Sequence, residues 1–138
     1  MIRSIRVGIV VLSIMFIIGC SFITEDTINT SEMIDKYNTI VDMISSGEIA
    51  VESNGCVILP KGFKHLSDSG ECFVVEFKGQ TALYFYTCRG LLDESRGYVY
   101  ITNKLSYSDY IDTNEYVANY DFSILKQLTD SLYLCTTG

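Results

Sequence analysis

The chain carries a single histidine, His65. A Ser–His or Cys–His mechanism would have to use it, because such a nucleophile needs an adjacent base. It lies in the polar run Lys61-Gly62-Phe63-Lys64-His65, where an exposed loop position is the expectation. Glycine-rich phosphate loops and dinucleotide fingerprints are absent, which removes the usual nucleotide cradles. Close cysteine pairs, two to four residues apart, are absent too, and structural zinc normally draws on such pairs. No internal repeat or low-complexity linker divides the chain. Acidic residues are missing before Glu25, and Arg3 and Arg6 are the only charges in that stretch.

What is present is 138 residues, enough for one domain. Eight basic and 17 acidic residues follow Arg6, giving residues 25–138 a net charge of −9. That surface repels phosphate backbones, so nucleic acid is not an expected partner. It also opposes a basic contact with anionic lipid. A membrane-bound form of this protein would need a covalent or inserted anchor.

The N-terminus supplies one. Met1 to Arg6 is basic, Val7 to Ile18 is apolar apart from Gly8 and Ser13, and Ile17-Ile18-Gly19-Cys20 follows. That order describes an export signal. The last four residues resemble the lipobox of bacterial lipoproteins. The resemblance implies cleavage before Cys20, diacylglycerol on its thiol, and attachment to the outer face of the cell membrane. Gly19 and Ile17 fit the pattern, while Ile18 is bulkier than the usual Ala or Ser. Two alternatives remain: an uncleaved membrane helix, since residues 7–24 are 18 uncharged positions, and ordinary cleaved secretion. All three put residues 25–138 outside the cytoplasm. The expected organisation is a signal peptide over 1–19, a tether over 20–30 and one domain over 31–138.

Within that domain, Met33, Ile34, Tyr37, Ile40, Val41 and Ile44 recur at helical spacing. With Asn29 or Ser31 as cap and Gly47 as stop, this predicts a helix over 31–46. Ile49 and Val51 predict the start of a short strand, Asn54-Gly55 a turn, and Cys56 to Leu59 another apolar run. Glu71 to Lys78 and Thr81 to Cys88 predict a hairpin around Gly79-Gln80. Pairing about position 80 groups Phe73, Val75, Phe77, Leu83 and Phe85 on one face. Cys72, Val74, Glu76, Tyr84, Tyr86 and Cys88 take the other. Tyr98 to Thr102 adds a strand, residues 103–121 read as a loop or weak helix, and Phe122–Leu128 with Leu132–Thr136 form a second hairpin. The predicted class is α+β: one N-terminal helix packed on a mostly antiparallel sheet of hairpins.

Leu59-Pro60, Leu66-Ser67, Arg89-Gly90-Leu91-Leu92-Asp93 and Gly97-Tyr98-Val99-Tyr100 together resemble short uncharacterised proteins of Gram-positive bacteria, over residues 58–136. The resemblance implies a sheet and brings no activity.

With Cys20 lipidated, Cys56, Cys72, Cys88 and Cys135 remain, an even number outside the cytoplasm. The predicted register sets Cys72 opposite Cys88, where Cβ atoms lie ~4.5–5.5 Å apart. A Cys72–Cys88 disulfide leaves Cys56–Cys135 by elimination. Four free, buried thiols are the alternative.

Catalytic signals are thin. Asp93-Glu94 and Glu48 with Glu52 are acid pairs of the kind glycosidases use, but acids are plentiful throughout. Asp109, Asp112, Asn114 and Glu115 lack the glycine and alternation of a calcium loop. Neither metal nor cofactor is expected. Tyr107, Tyr110, Tyr116 and Tyr120, set among Ser, Asp and Asn, suit a recognition surface for protein or glycan. The expectation is a non-enzymatic, lipid-anchored envelope protein that binds a protein partner or is structural. One alternative is an immunity or inhibitor lipoprotein acting on a basic toxin or cell-wall hydrolase. Another is a small hydrolase using His65.

Overall fold

A computed structural model describes residues 29–89, 95–114 and 120–138. The export segment, Cys20 and most of the tether lie outside the described residues.

Helix α1 spans Thr30–Ser45. The Asn29 side chain caps it by accepting from the Glu32 N–H at 3.2 Å, which satisfies one of the donors a helix start leaves open. Its apolar stripe buries Tyr37, Ile40, Val41 and Ile44. After Gly47 the chain does not form the expected strand at Ile49 and Val51. Those two residues pack instead as partly buried anchors beneath the helix-side core.

Six strands follow: β1 Cys56–Ile58, β2 Glu71–Phe77, β3 Gln80–Arg89, β4 Ser95–Ile101, β5 Phe122–Gln127 and β6 Leu132–Thr137. They form one sheet in the order β1-β2-β3-β4-β6-β5, and every neighbouring pair is antiparallel. The class is therefore α+β, with most of the regular structure in the sheet. A 3-10 turn, Lys64–Leu66, lies between β1 and β2. A one-turn helix, α2 (Tyr107–Tyr110), lies between β4 and β5. The Tyr107 N–H donates to Thr81 Oγ1 at 2.9 Å, which pins α2 to β3.

The β2–β3 register differs from the expected one. The turn is Lys78-Gly79, both at positive φ (51° and 72°), and Phe77 faces Gln80 while Phe73 faces Tyr84. Two residues at positive φ suit the right-handed twist of a tight hairpin. Relative to pairing about position 80, the strands are offset by three residues. An odd offset moves one strand's side chains to the opposite face. Cys72, Val74, Leu83 and Phe85 therefore share the core that also holds Tyr37, Ile40, Val41 and Ile44. Val75, Phe77, Ala82, Tyr84 and Tyr86 share the other face.

The helix-side core is tied by aromatic and polar contacts. Tyr37 stacks on Phe85 with centroids 4.2 Å apart. The Tyr100 hydroxyl donates to Asn38 Oδ1 at 2.6 Å, joining β4 to α1. The opposite face has its own buried cluster, including Val99, Tyr133 and Cys135. Phe77 on β2 and Phe122 on β5 meet there edge to face at 5.7 Å. Three strands separate β2 from β5, which in a flat sheet would be roughly 19 Å. The sheet must therefore coil strongly, as antiparallel sheets do when they approach a barrel.

Gly97 on β4 pairs with Tyr86 on β3. A Cβ there would lie 2.2 Å from the Phe85 carbonyl oxygen and 2.5 Å from Tyr86 Cα. The β3–β4 register shifts between Tyr86 and Cys88, beside this point. Glycine at a bend of a coiled sheet admits the neighbouring backbone where no side chain fits.

Candidate functional site

A cleft of about 310 Å³ opens between the first half of α1 and the sheet. Helical spacing sets four of its residues on one side: Asn29, Glu32, Met33 and Lys36, with Tyr37 behind them. The 3-10 turn contributes His65 and Leu66, and β3 and β4 contribute Thr87 and Tyr98. Leu66 is the anchor that fixes the turn, being buried in the helix-side core. His65, next to it, is exposed at the rim.

The rim is polar and connected. Lys36 Nζ lies 3.1 Å from Glu32 Oε1, one helical turn earlier. The same ammonium lies 3.2 Å from His65 Nε2. An ammonium has only donors, so in this contact Lys36 donates and Nε2 accepts. Deeper in, Thr87 Oγ1 donates to the Arg96 carbonyl at 3.2 Å. Tyr98 is 5% exposed. Burial pushes its hydroxyl pKa upward, while the nearby Arg96 guanidinium partly opposes that shift. The wall formed by Met33, Tyr37, Leu66 and Tyr98 is apolar, and Tyr37 is held rigid by its stack on Phe85.

His65 thus has a partner, but among the described residues neither a cysteine nor a serine lines the cleft with it. Glu48 and Glu52 are exposed on the loop after α1, while Asp93-Glu94 lies outside the described residues. Asp109, Asp112 and Asn114 are exposed, and the Asn114 N–H donates to Asp112 Oδ1 at 2.9 Å, a local turn. Glu115 lies outside the described residues. Among the described residues no three His, Cys, Asp or Glu side chains gather as a metal site.

The described tyrosines of the 103–121 segment do not share one patch. Tyr107 and Tyr110 are partly buried against the helix-side core. Tyr120 packs on the opposite face, against Phe73 at 6.1 Å and Phe122 at 5.6 Å. Tyr116 lies outside the described residues.

The expected disulfides are corrected by the register. Cys56, Cys72 and Cys135 are free and buried, so neither Cys72–Cys88 nor Cys56–Cys135 forms. Continuing the Phe73–Tyr84 register sets Cys72 opposite Phe85, three residues short of Cys88. That is an offset of about 10 Å along the strand. Cys56 and Cys135 lie on β1 and β6, with β2, β3 and β4 between them. Burial raises the Cys135 thiol to about 11, with Lys78 pulling the other way. The Cys56 thiol is also pushed to about 11, by burial first and then by the carboxylates of Glu71 and Glu52. Cys72 is pushed up further by burial. Thiols held protonated in this way are poor nucleophiles.

No family model, curated protein or solved structure matches the chain. The site is therefore judged on its own chemistry. The residues missed from sequence are Asn29, Glu32, Met33, Lys36, Tyr37, Thr87 and Tyr98 as a set. The Glu32–Lys36 spacing was a visible signal, but it reads equally as an ordinary helix ion pair.

Proposed function

We propose that this protein is an exported, non-enzymatic binding domain, anchored by lipid at Cys20, with the α1 cleft as its ligand site. In this reading α1 forms a layer on one face of the sheet, and the gap at its N-terminal end is the functional feature. The observation that carries the binding role is that cleft: an apolar wall beneath a rim of Lys36, His65 and Glu32. Small-molecule sites commonly combine an apolar wall with a few convergent polar groups.

The anchor rests on the Ile17-Ile18-Gly19-Cys20 motif behind a basic and apolar leader. Nine residue steps separate Cys20 from Asn29, a reach of about 30 Å at most. Lipid on Cys20 would therefore hold the cleft close to the outer membrane surface. Among the described residues no helix is long and apolar enough to cross a membrane.

Catalysis by His65 has less support. Its Nε2 already accepts from Lys36, and the one aliphatic hydroxyl among the described lining residues, Thr87, donates to a backbone carbonyl. The inhibitor reading has a different motive, the charge of −9 over residues 25–138, which would steer a cationic enzyme toward it.

Labelling cells with a radioactive fatty acid tests the anchor. Label is expected on the wild-type chain and not on Cys20→Ala; persistent label in the variant overturns lipidation there. A low-salt pull-down separates the two binding readings. Retention of cationic wall hydrolases favours the inhibitor, and its absence leaves the cleft as the binding site.

A further inference from the structure

We propose that the α1 cleft takes a small organic carboxylate with an apolar body, its charged end held at the rim by Lys36. This rests on the binding reading above and adds the chemical class of the ligand.

Charge is the first argument. With −9 over residues 25–138, an average patch of this surface is acidic. The cleft is not. Among the described residues its lining balances one carboxylate, Glu32, with one ammonium, Lys36. The Arg96 guanidinium is near enough to Tyr98 to act on its hydroxyl. An ammonium at the mouth of a concavity in an acidic molecule raises the local potential, and the low-dielectric walls focus it. An anion is drawn to that concavity and repelled elsewhere.

Rim geometry is the second. Lys36 Nζ gives one donor to Glu32 and one to His65, at 3.1 and 3.2 Å, and an ammonium has a third. Glu32 is 61% exposed, and an exposed i,i+4 pair is weak enough for an incoming carboxylate to displace. A carboxylate there would receive a charge-assisted hydrogen bond from Lys36, the stronger kind.

Shape is the third. Below the rim, Met33, Tyr37, Leu66 and Tyr98 present an apolar wall. At about 310 Å³ the cleft lies at the small end of the range for small-molecule sites, which suits a compact acid better than a long chain.

The test uses the full chain in detergent micelles, with phenylacetate and its neutral isostere phenylacetamide followed by amide NMR shifts. Phenylacetate is expected to bind roughly tenfold tighter than phenylacetamide, the scale of one charged hydrogen bond. Lys36→Met should abolish that preference and Lys36→Arg should retain it. Far-UV circular dichroism should be unchanged in both, since the Lys36 side chain is 34% exposed. Equal binding of the two compounds to the wild type overturns the anion site and leaves the cleft as a neutral binding site. Absence of shifts at Met33, Leu66 and Tyr98 with either compound overturns both readings. A preference that survives Lys36→Met also overturns the proposal, because the charge would then be held elsewhere.

Discussion

Phe77 and Phe122 touch edge to face at 5.7 Å, although they belong to diagonally opposite corners of the sheet. Phe77 pairs with Gln80 at the β2–β3 turn. Phe122 pairs with Thr137, and Thr137 with Ser95, at the far end of the strands. Only a coiled sheet brings those corners together, and the contact measures how completely it closes. Tyr84 sits between, its ring 5.0 Å from Phe122 and its hydroxyl 2.6 Å from Ser95 Oγ.

A double-mutant cycle on Phe77→Ala and Phe122→Ala should give a favourable coupling of about 1 kcal/mol in denaturant unfolding. Additive effects would show that the corners do not interact in solution.

Gly97→Ala should destabilise by roughly 3 kcal/mol, because its Cβ meets main-chain atoms of Phe85 and Tyr86 that cannot move aside cheaply. The measurement is the urea midpoint. Gly47→Ala is the control: its Cβ would meet nothing within 4 Å, leaving only the strain of a positive φ, so its loss should be smaller.

Asn29→Ala should cost about 1 kcal/mol through the lost cap on the Glu32 N–H. Thermal unfolding reads it. Asn29→Ser should restore most of the loss, which separates capping from any effect of the cleft lining.

Alkaline pH should weaken the fold. The Cys135 thiol rises from an ordinary value of 9.0 to about 11 on burial. Above pH 9 the unfolded chain therefore loses a proton that the folded chain keeps, and stability falls with rising pH. The contribution is intact below pH 9 and is lost progressively between pH 9 and about 11. Cys56, also at about 11, acts in the same direction. Unfolding midpoints across that range should decline, and less steeply in Cys135→Ala. Native protein should resist thiol alkylation at pH 8, whereas rapid modification of Cys72 would contradict its burial.

Much of the local structure was legible. The spacing of Met33, Tyr37, Ile40 and Ile44 produced a helix within one residue of the observed bounds, because amphipathic periodicity and an Asn cap act locally. The second hairpin also matched closely, since Leu132 and the Thr129-Asp130-Ser131 turn leave little freedom. Ile49 and Val51 did not become a strand. Apolar alternation over so short a stretch is satisfied equally by docking onto a core.

The cleft was less legible because its walls come from α1, the 3-10 turn, β3 and β4, which are distant in the chain. Lys36 and His65 are separated by 28 intervening positions, and no pattern in either neighbourhood points to the other.

The sequence by itself determined where the helix and most of the strands run, how the charge divides, and that residues 1–20 have the form of a leader ending in a cysteine. Tertiary structure decided how the strands pair. Both faces of β2 and β3 are apolar, so sorting by hydrophobicity could not distinguish a register from one offset by three. The Lys78-Gly79 turn and the coil of the sheet resolved it. That offset separates Cys72 from Cys88, sends Phe85 against Tyr37, and with that stack sets the wall of the cleft where Lys36 meets His65.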